Sequence, residues 1–213
     1  MRAFIYVGGS VLKENITEHP KSDDICIAAD VGAYNAKLLG DTPDFIVGDF
    51  DSADIERLKS DFPKAEITIV PAEKDFTDTE LAIETALKNG ANDLIIIGGL
   101  DGRLDHTLTN ISLLIELAKS KIYVTMTDGK NRIRYIECSS TLIPRSQFKY
   151  LSLIPQTEKI KGLTILGCKY TLEKATLKKH SQGLTVSNEI TGNCAFIEIK
   201  KGGLLIVESS DKI

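Results

Sequence analysis

The sequence predicts an α/β chain: an N-terminal, mostly parallel sheet with flanking helices, followed by a C-terminal all-β sandwich domain. Three observations carry that prediction. Short apolar runs alternate with helical periodicity through the first half. Helical periodicity then stops after TDGKNR (127–132). Beyond that point, strand-like runs recur between Gly, Pro and Asn punctuation, as in an all-β domain. The expected domains are 1–130 and 131–213, packed together without a long linker, repeat or low-complexity stretch. The 213 residues suffice for a real hydrophobic core.

The elements follow in order. FIYV (4–7), ICIAA (25–29), FIV (45–47), ITIV (67–70), LIII (94–97) and IYVTM (122–126) read as buried strands. Continuous apolar runs suit strands that are covered on both faces. Between several of them lie helices. In 79–90, Thr79, Ala82, Ile83, Ala86 and Leu87 share one face and Gly90 supplies the stop. From His106 to Lys119 the apolar side is Leu108, Ile111, Leu114, Ile115 and Ala118. After residue 131 the strand-like runs are RIRYIEC, FKYLSLI, GLTIL, GLTVSNEI, CAFIEIK and LLIVES. In AFIEIK, Ala195, Ile197 and Ile199 alternate with Phe196, Glu198 and Lys200, as a half-buried strand requires.

Composition narrows the function. A net charge of −4 gives no basic field that would argue for nucleic acid. MRAFIYVGG is too short an apolar run for a signal peptide, and no stretch approaches a membrane span. The expected setting is cytoplasmic. Cys26, Cys138, Cys168 and Cys194 are scattered without a CxxC pair and read as small buried hydrophobes in a reducing compartment. The three histidines are too far apart in sequence to suggest a zinc site.

Carboxylates gather at the predicted strand ends, where open parallel sheets bind ligands. Asp30 follows ICIAA. Asp49 and Asp51 follow FIV in GDFDS. Asp75 and Asp78 follow ITIV in KDFTDTE, and Asp105 follows LIII in GGLDGRLDH. Each has a plain structural reading. Thr77 and Glu80 have capping-box spacing, Asp78 suits a first helical turn, Asp105 can cap the next helix, and Asp49 and Asp51 can be turn residues. Four strand exits carrying carboxylates toward one edge repel one another unless a cation joins them. Mg²⁺ is the expected cation, since it takes one or two carboxylates plus phosphate oxygens. Extended backbone would point Asp49 and Asp51 the same way, roughly 6–7 Å apart. Gly98, Gly99 and Gly102 form a loop between a strand and a helix start, whose N–H groups can cradle phosphate. Arg103 adds a positive fork. Together these features suggest a Mg²⁺-nucleotide site.

The ordered series ADVGAYNAKLL, PDFIVGDFDS, KDFTDTELAI, GGLDGRLDHTLTN and SNE resembles bacterial-type thiamine pyrophosphokinases over nearly the whole chain. The resemblance implies an α/β domain followed by a β-sandwich, in a homodimer. It implies transfer of pyrophosphate from ATP to the hydroxyl of thiamine, giving thiamine diphosphate and AMP, with Mg²⁺. It places Asp49, Asp51 and Asp78 at the metal, with Asp75 and Thr77 beside them. Arg103, Asp105 and His106 fall on the nucleotide side, and Asp30 in the early acidic motif. It places Ser187 and Asn188 in the thiamine pocket and assigns the β-sandwich a part in the dimer. The chain departs from the family pattern at Val31, Asp101, Cys168 and Thr171. With no Trp in the chain, stacking on thiamine falls to Tyr or Phe, and Tyr170 is the candidate.

Phosphoryl displacement needs positioning and charge neutralisation more than covalent help. A carboxylate outside the metal shell would take the thiamine hydroxyl proton, with Asp75 the least constrained choice. Two other readings stand beside this one. A non-catalytic nucleotide or thiamine sensor could use the same fold, although it would not need every metal ligand. A DxD-type Mg-dependent phosphatase would share the strand followed by DFDS. That class needs a Ser or Thr closing a later strand, whereas LIII ends in Gly98.

Overall fold

A computed structural model describes residues 1–211 except Ala72, Lys74, Asp75 and Ser181. The chain divides into two compact units, Met1–Gly129 and Lys130–Ile213. The first holds strands β1 (Arg2–Tyr6), β2 (Ile25–Ala29), β3 (Phe45–Gly48), β4 (Glu66–Ile69), β5 (Asp93–Ile97) and β6 (Tyr123–Thr127). Its helices are α1 (Gly32–Leu39), α2 (Ile55–Asp61), α3 (Asp78–Lys88) and α4 (Leu104–Lys119). The strands lie in the order β4-β3-β2-β1-β5-β6, and every neighbouring pair is parallel. The chain therefore steps outward from β1 to β4 and restarts on the other side of β1 with β5. Such a reversal opens a crevice at the carboxyl ends of the strands.

The continuous apolar runs become the buried centre of this sheet. Phe4, Ile5, Tyr6, Ile27, Ile46, Leu94, Ile96 and Ile97 are fully buried. β4 corrects the expectation of a buried strand. It is an edge with a neighbour on one side only, and its Ile69 is 63% exposed. Helix α3 starts on the expected capping box. The Thr77 N–H donates to Glu80 Oε2 at 2.7 Å, and the Glu80 N–H donates to Thr77 Oγ1 at 3.2 Å. Helix α4 is rotated from its expected face: Leu108 is 55% exposed, and the buried residues are Asn110 and Leu114. Asn110 sets the rotation, because its Nδ2 donates to the Gly99 carbonyl at 3.0 Å. The described residues hold no helix long and apolar enough to cross a membrane.

The second unit holds β7 (Asn131–Glu137), β8 (Ser140–Pro144), β9 (Tyr150–Pro155), β10 (Lys159–Leu166), β11 (Leu172–Lys178), β12 (Cys194–Glu198) and β13 (Gly203–Ser209). Within it, β7-β13-β9 and β11-β10-β12-β8 form antiparallel sheets around one core. Ala195, Ile197 and Ile199 face that core, as their alternation predicts. GLTVSNEI is not a strand. It forms a 3₁₀ turn over Gln182–Leu184 and then isolated bridges, because Ser187 takes φ +59° and breaks the extended path. β8 and β11 carry too few inward apolar residues to stand out in sequence. All four cysteines are free, but Cys138 and Cys194 are exposed, so the small-hydrophobe reading holds for Cys26 and Cys168 alone.

One end of the sandwich face carries a buried ionic cluster. Register places Arg132 opposite Glu208 and Arg134 opposite Ile206. Glu208 is 2% exposed and accepts from Arg132 at 2.6 and 2.8 Å, from Arg134 at 2.8 Å and from Ser146 at 3.2 Å. Removing the carboxylate leaves two guanidinium groups facing each other with little water. Glu208→Ala is expected to destabilise the fold by about 3 kcal/mol. Equilibrium denaturation measures it, and a loss under about 1 kcal/mol would mean the arginines relax into solvent.

Candidate active site

The site begins where β2 ends. Asp30 is 7% exposed, takes φ +47°, and donates its N–H to the Val47 carbonyl on β3 at 2.9 Å. That bond holds the β2 and β3 exits side by side. Asp30 Oδ1 is buried without a hydrogen-bond partner among the described residues. Burial pushes the Asp30 carboxyl above the usual carboxylate range, and the charges of Asp78, Asp49 and Asp51 push the same way. A hydrogen bond from the Val31 N–H opposes them. Two further exits, those of β3 and β4, thus bring aspartates within electrostatic reach of one buried carboxyl.

Asp49 and Asp51 are not held by extended backbone, which corrects the expected spacing. Phe50 takes φ +57° and packs against the core, so the chain turns between the two carboxylates. The Asp51 N–H donates to Asp49 Oδ1 at 3.2 Å, and Ser52 Oγ donates to Asp51 Oδ1 at 2.6 Å. Left-handed geometry at a bulky residue costs roughly 1–2 kcal/mol, which the buried ring must offset. Asp78 stands in the first turn of α3, which packs on β2 and β3. The Thr77 hydroxyl is engaged by Glu80, accepting its N–H and donating to Oε2 at 3.0 Å. Asp75 lies outside the described residues.

The glycine loop differs from expectation in its first two amides. The Gly98 N–H donates to the Thr127 carbonyl and the Gly99 N–H to the Gly8 carbonyl, both at 2.8 Å. They cannot also cradle phosphate. These glycines serve close packing instead: a Cβ on Gly98 would stand 2.5 Å from the Val7 oxygen, and one on Gly99 2.7 Å from Asn110 Nδ2. Gly102, at φ +86°, faces open space. Any amide cradle lies beyond Gly99. Two asparagines that the sequence reading passed over hold this edge. Asn110 clasps Gly99, and Asn35 Nδ2 donates to the Val7 and Gly9 carbonyls at 2.7 and 3.0 Å. A polar residue on the buried side of α4 was the signal for Asn110.

Arg103 pairs with Asp105 through Nε at 3.2 Å and Nη2 at 2.6 Å, both side chains being exposed. The guanidinium pulls the Asp105 carboxyl down to about 2, and Asp105 raises the Arg103 pKa in return. His106 is exposed and donates its N–H to Asp105 Oδ1 at 3.0 Å. Val31 needs no glycine, since its φ is −60°.

In the second unit, Tyr170 is 60% exposed, with the Lys169 ammonium 5.7 Å from its ring centroid. Ser187 is exposed and donates its N–H to Ser152 Oγ at 3.0 Å. Asn188 is 3% exposed, its Oδ1 accepts two backbone N–H groups and its Nδ2 donates to the Tyr170 carbonyl, so most of its amide is already engaged with backbone.

The aspartates form an all-oxygen donor set, which fits a hard divalent cation such as Mg²⁺. Among the described residues no three acidic, His or Cys side chains are arranged to hold an ion by themselves. Asp49, Asp51 and Asp78 are therefore not a preformed cage. That suits an ion which keeps water and takes phosphate oxygens.

The model of the thiamin pyrophosphokinase catalytic domain matches residues 17–126, and that of the thiamin pyrophosphokinase vitamin B1 binding domain matches residues 139–204. The chain belongs to the thiamin pyrophosphokinase family. The thiamine pyrophosphokinase of Bacillus subtilis (strain 168) is 32% identical over 206 residues, covering 96% of each chain. Thiamin pyrophosphokinase 1 of Caenorhabditis elegans is 25% identical over 181 residues, covering 81% of this chain and 72% of that one. The crystal structure of the Bacillus subtilis family member superposes with TM-score 0.88 at 29% identity over all of both chains. That of the Geobacillus thermodenitrificans member gives 0.85 at 27% identity over 100% and 99%. The catalytic-domain match contains Asp30, Asp49, Asp51, Asp78, Arg103 and Asp105, and the second match contains Tyr170, Ser187 and Asn188.

The raised Asp30 pKa has a defined stability signature. The folded state binds this proton more tightly than the unfolded chain does. The resulting stability is fully present below the ordinary carboxylate pKa and is lost as pH rises through the raised value. Asp30→Asn cannot ionise. Without metal, the variant is expected to match the wild type near pH 4 and to exceed it near pH 7, by denaturation in chelator. Lower stability than wild type at about pH 7 would mean that the Asp30 charge has a stabilising partner.

Proposed function

We propose that the chain transfers pyrophosphate from ATP to the hydroxyl of thiamine, giving thiamine diphosphate and AMP. The observation that carries this reading is the charge cluster around Asp30 at the carboxyl edge of the parallel sheet. It occurs in a chain that family members match from end to end. Residues 1–129 carry 23 acidic and 12 basic side chains, against 7 and 14 in residues 130–213. An acidic α/β unit needs cations to bind a triphosphate, and it attracts the thiazolium charge of thiamine.

Asp49, Asp51 and Asp78 are the residues that would hold Mg²⁺, with Asp30 behind them. The ion supplies charge neutralisation on the triphosphate. Arg103, the loop beyond Gly99 and His106 orient the nucleotide. To reach a phosphate, the Arg103 fork exchanges Asp105 for it, which the exposure of both side chains permits. The thiamine hydroxyl loses its proton to a carboxylate outside the metal shell, and Asp75 is the residue assigned to this by sequence. Tyr170 and Ser187 bind the vitamin. The working assembly is a homodimer, which sedimentation velocity checks. The compartment is the cytoplasm, a reading supported by two exposed free thiols, Cys138 and Cys194.

Incubation with ATP, Mg²⁺ and thiamine should yield AMP and thiamine diphosphate one for one, resolved by chromatography. Stoichiometric ADP would replace this reading with an ordinary kinase. Asp49→Asn and Asp51→Asn should each lower kcat by about a hundredfold or more while circular dichroism stays native. Near-normal turnover in either variant would reduce these aspartates to turn residues.

A further inference from the structure

Asn188 is a polar side chain in a nearly closed position, at 3% exposure. Its Oδ1 accepts the N–H of Tyr170 at 3.0 Å and that of Glu189 at 2.9 Å. Its Nδ2 donates to the Tyr170 carbonyl at 2.7 Å. One amide side chain therefore satisfies both backbone polar groups of Tyr170, as a neighbouring strand would. The Asn188 backbone is itself fixed, exchanging hydrogen bonds with Leu151 of β9 at 2.8 and 3.0 Å. The Lys169 N–H bonds the Glu189 carbonyl at 2.9 Å, which extends the clasp by one residue. Asn188 thus links β9 to the backbone of Tyr170.

The ring carried on this fixed backbone is left open. Tyr135 and Phe148 are buried, Tyr150 and Phe196 are half-buried, and Tyr170 is 60% exposed. Among the described residues after Lys130, it is the one aromatic side chain more exposed than covered. It lies inside the vitamin B1 binding match. Lys169 sits over the ring and also reaches Glu189 at 3.4 Å, so a nearby anion shares its charge. An open phenol on a held backbone suits a ligand made of two aromatic rings, one of them cationic. Holding the backbone that carries the ring removes part of the ordering cost of binding.

We propose that Asn188 is a positioning residue: it holds Tyr170 as the aromatic face on which thiamine stacks, and does not itself touch the substrate. The proposal rests on the thiamine reading above. It reverses the simplest view of the SNE segment, in which the Asn188 amide bonds the pyrimidine directly.

A kinetic double-mutant cycle tests it. Tyr170→Ala is expected to raise the thiamine KM about tenfold, Tyr170→Phe to leave it near wild type, and both to spare the KM for ATP. Asn188→Ala should raise the thiamine KM by a similar factor in the wild-type background and hardly at all in the Tyr170→Ala background. If Asn188→Ala does not fold, Asn188→Asp replaces it in the cycle, since it keeps the acceptor for both N–H groups. Full additivity would overturn the proposal by showing that Asn188 acts on thiamine directly. An unchanged thiamine KM in Tyr170→Ala would overturn it at the ring. Calorimetric binding of thiamine, run in parallel, separates this from the transferase reading. Coupled losses of binding without any turnover would sink the transferase reading and support the clasp. Absence of thiamine binding by the folded wild type would end both.

Discussion

A buried carboxyl with one oxygen left without a hydrogen-bond partner among the described residues is the constraint on which the rest of this site depends. Asp30 closes β2 in left-handed geometry, and the charges of three further aspartates press on it. The Val31 N–H opposes that push in part. Apolar strands hold the backbone there, and the stability of the sheet core offsets the local cost. Positive charge among these aspartates would oppose the repulsion that raises the Asp30 pKa. This is the usual thermodynamic shape of a site that is maintained for chemistry rather than for stability.

The frame around the carboxylates is built from small and polar residues with specific partners. Gly98 and Gly99 let the β5 exit press against Val7 and Gly8, where any Cβ would collide. Asn35 and Asn110 then fasten the loops by bonding their carbonyls. Phe50 packs against the core and anchors the turn of GDFDS between the two carboxylates. Most of the motif therefore holds backbone in place. An Arg103 fork that reaches for a nucleotide must first leave Asp105.

The second unit solves a related problem with neutral and paired groups. Glu208 is surrounded by Arg132, Arg134 and Ser146, so its burial is matched by charge-assisted hydrogen bonds. Asn188 meets no charge, yet its amide satisfies backbone that would otherwise have no ladder partner. In both cases a polar side chain inside a sandwich fixes one packing geometry.

The sequence by itself determined the alternation of strands and helices, the change to β structure near residue 130, and the acidic character of the strand exits. These features are periodic or local, so each segment carries its own signal. It also placed the capping box of α3 and the inward face of β12, where spacing alone decides the outcome. It did not reveal the edge position of β4 or the rotation of α4, because each depends on which neighbour is present. The partner of each polar group was likewise decided only in the tertiary structure. Gly98 and Gly99 N–H groups, the Thr77 hydroxyl, the Arg103 fork and the Asn188 amide all have binding capacity in sequence. In the fold each is engaged by another residue, some by residues far along the chain. Residue type states what a group can donate or accept, whereas three-dimensional proximity decides which partner takes it.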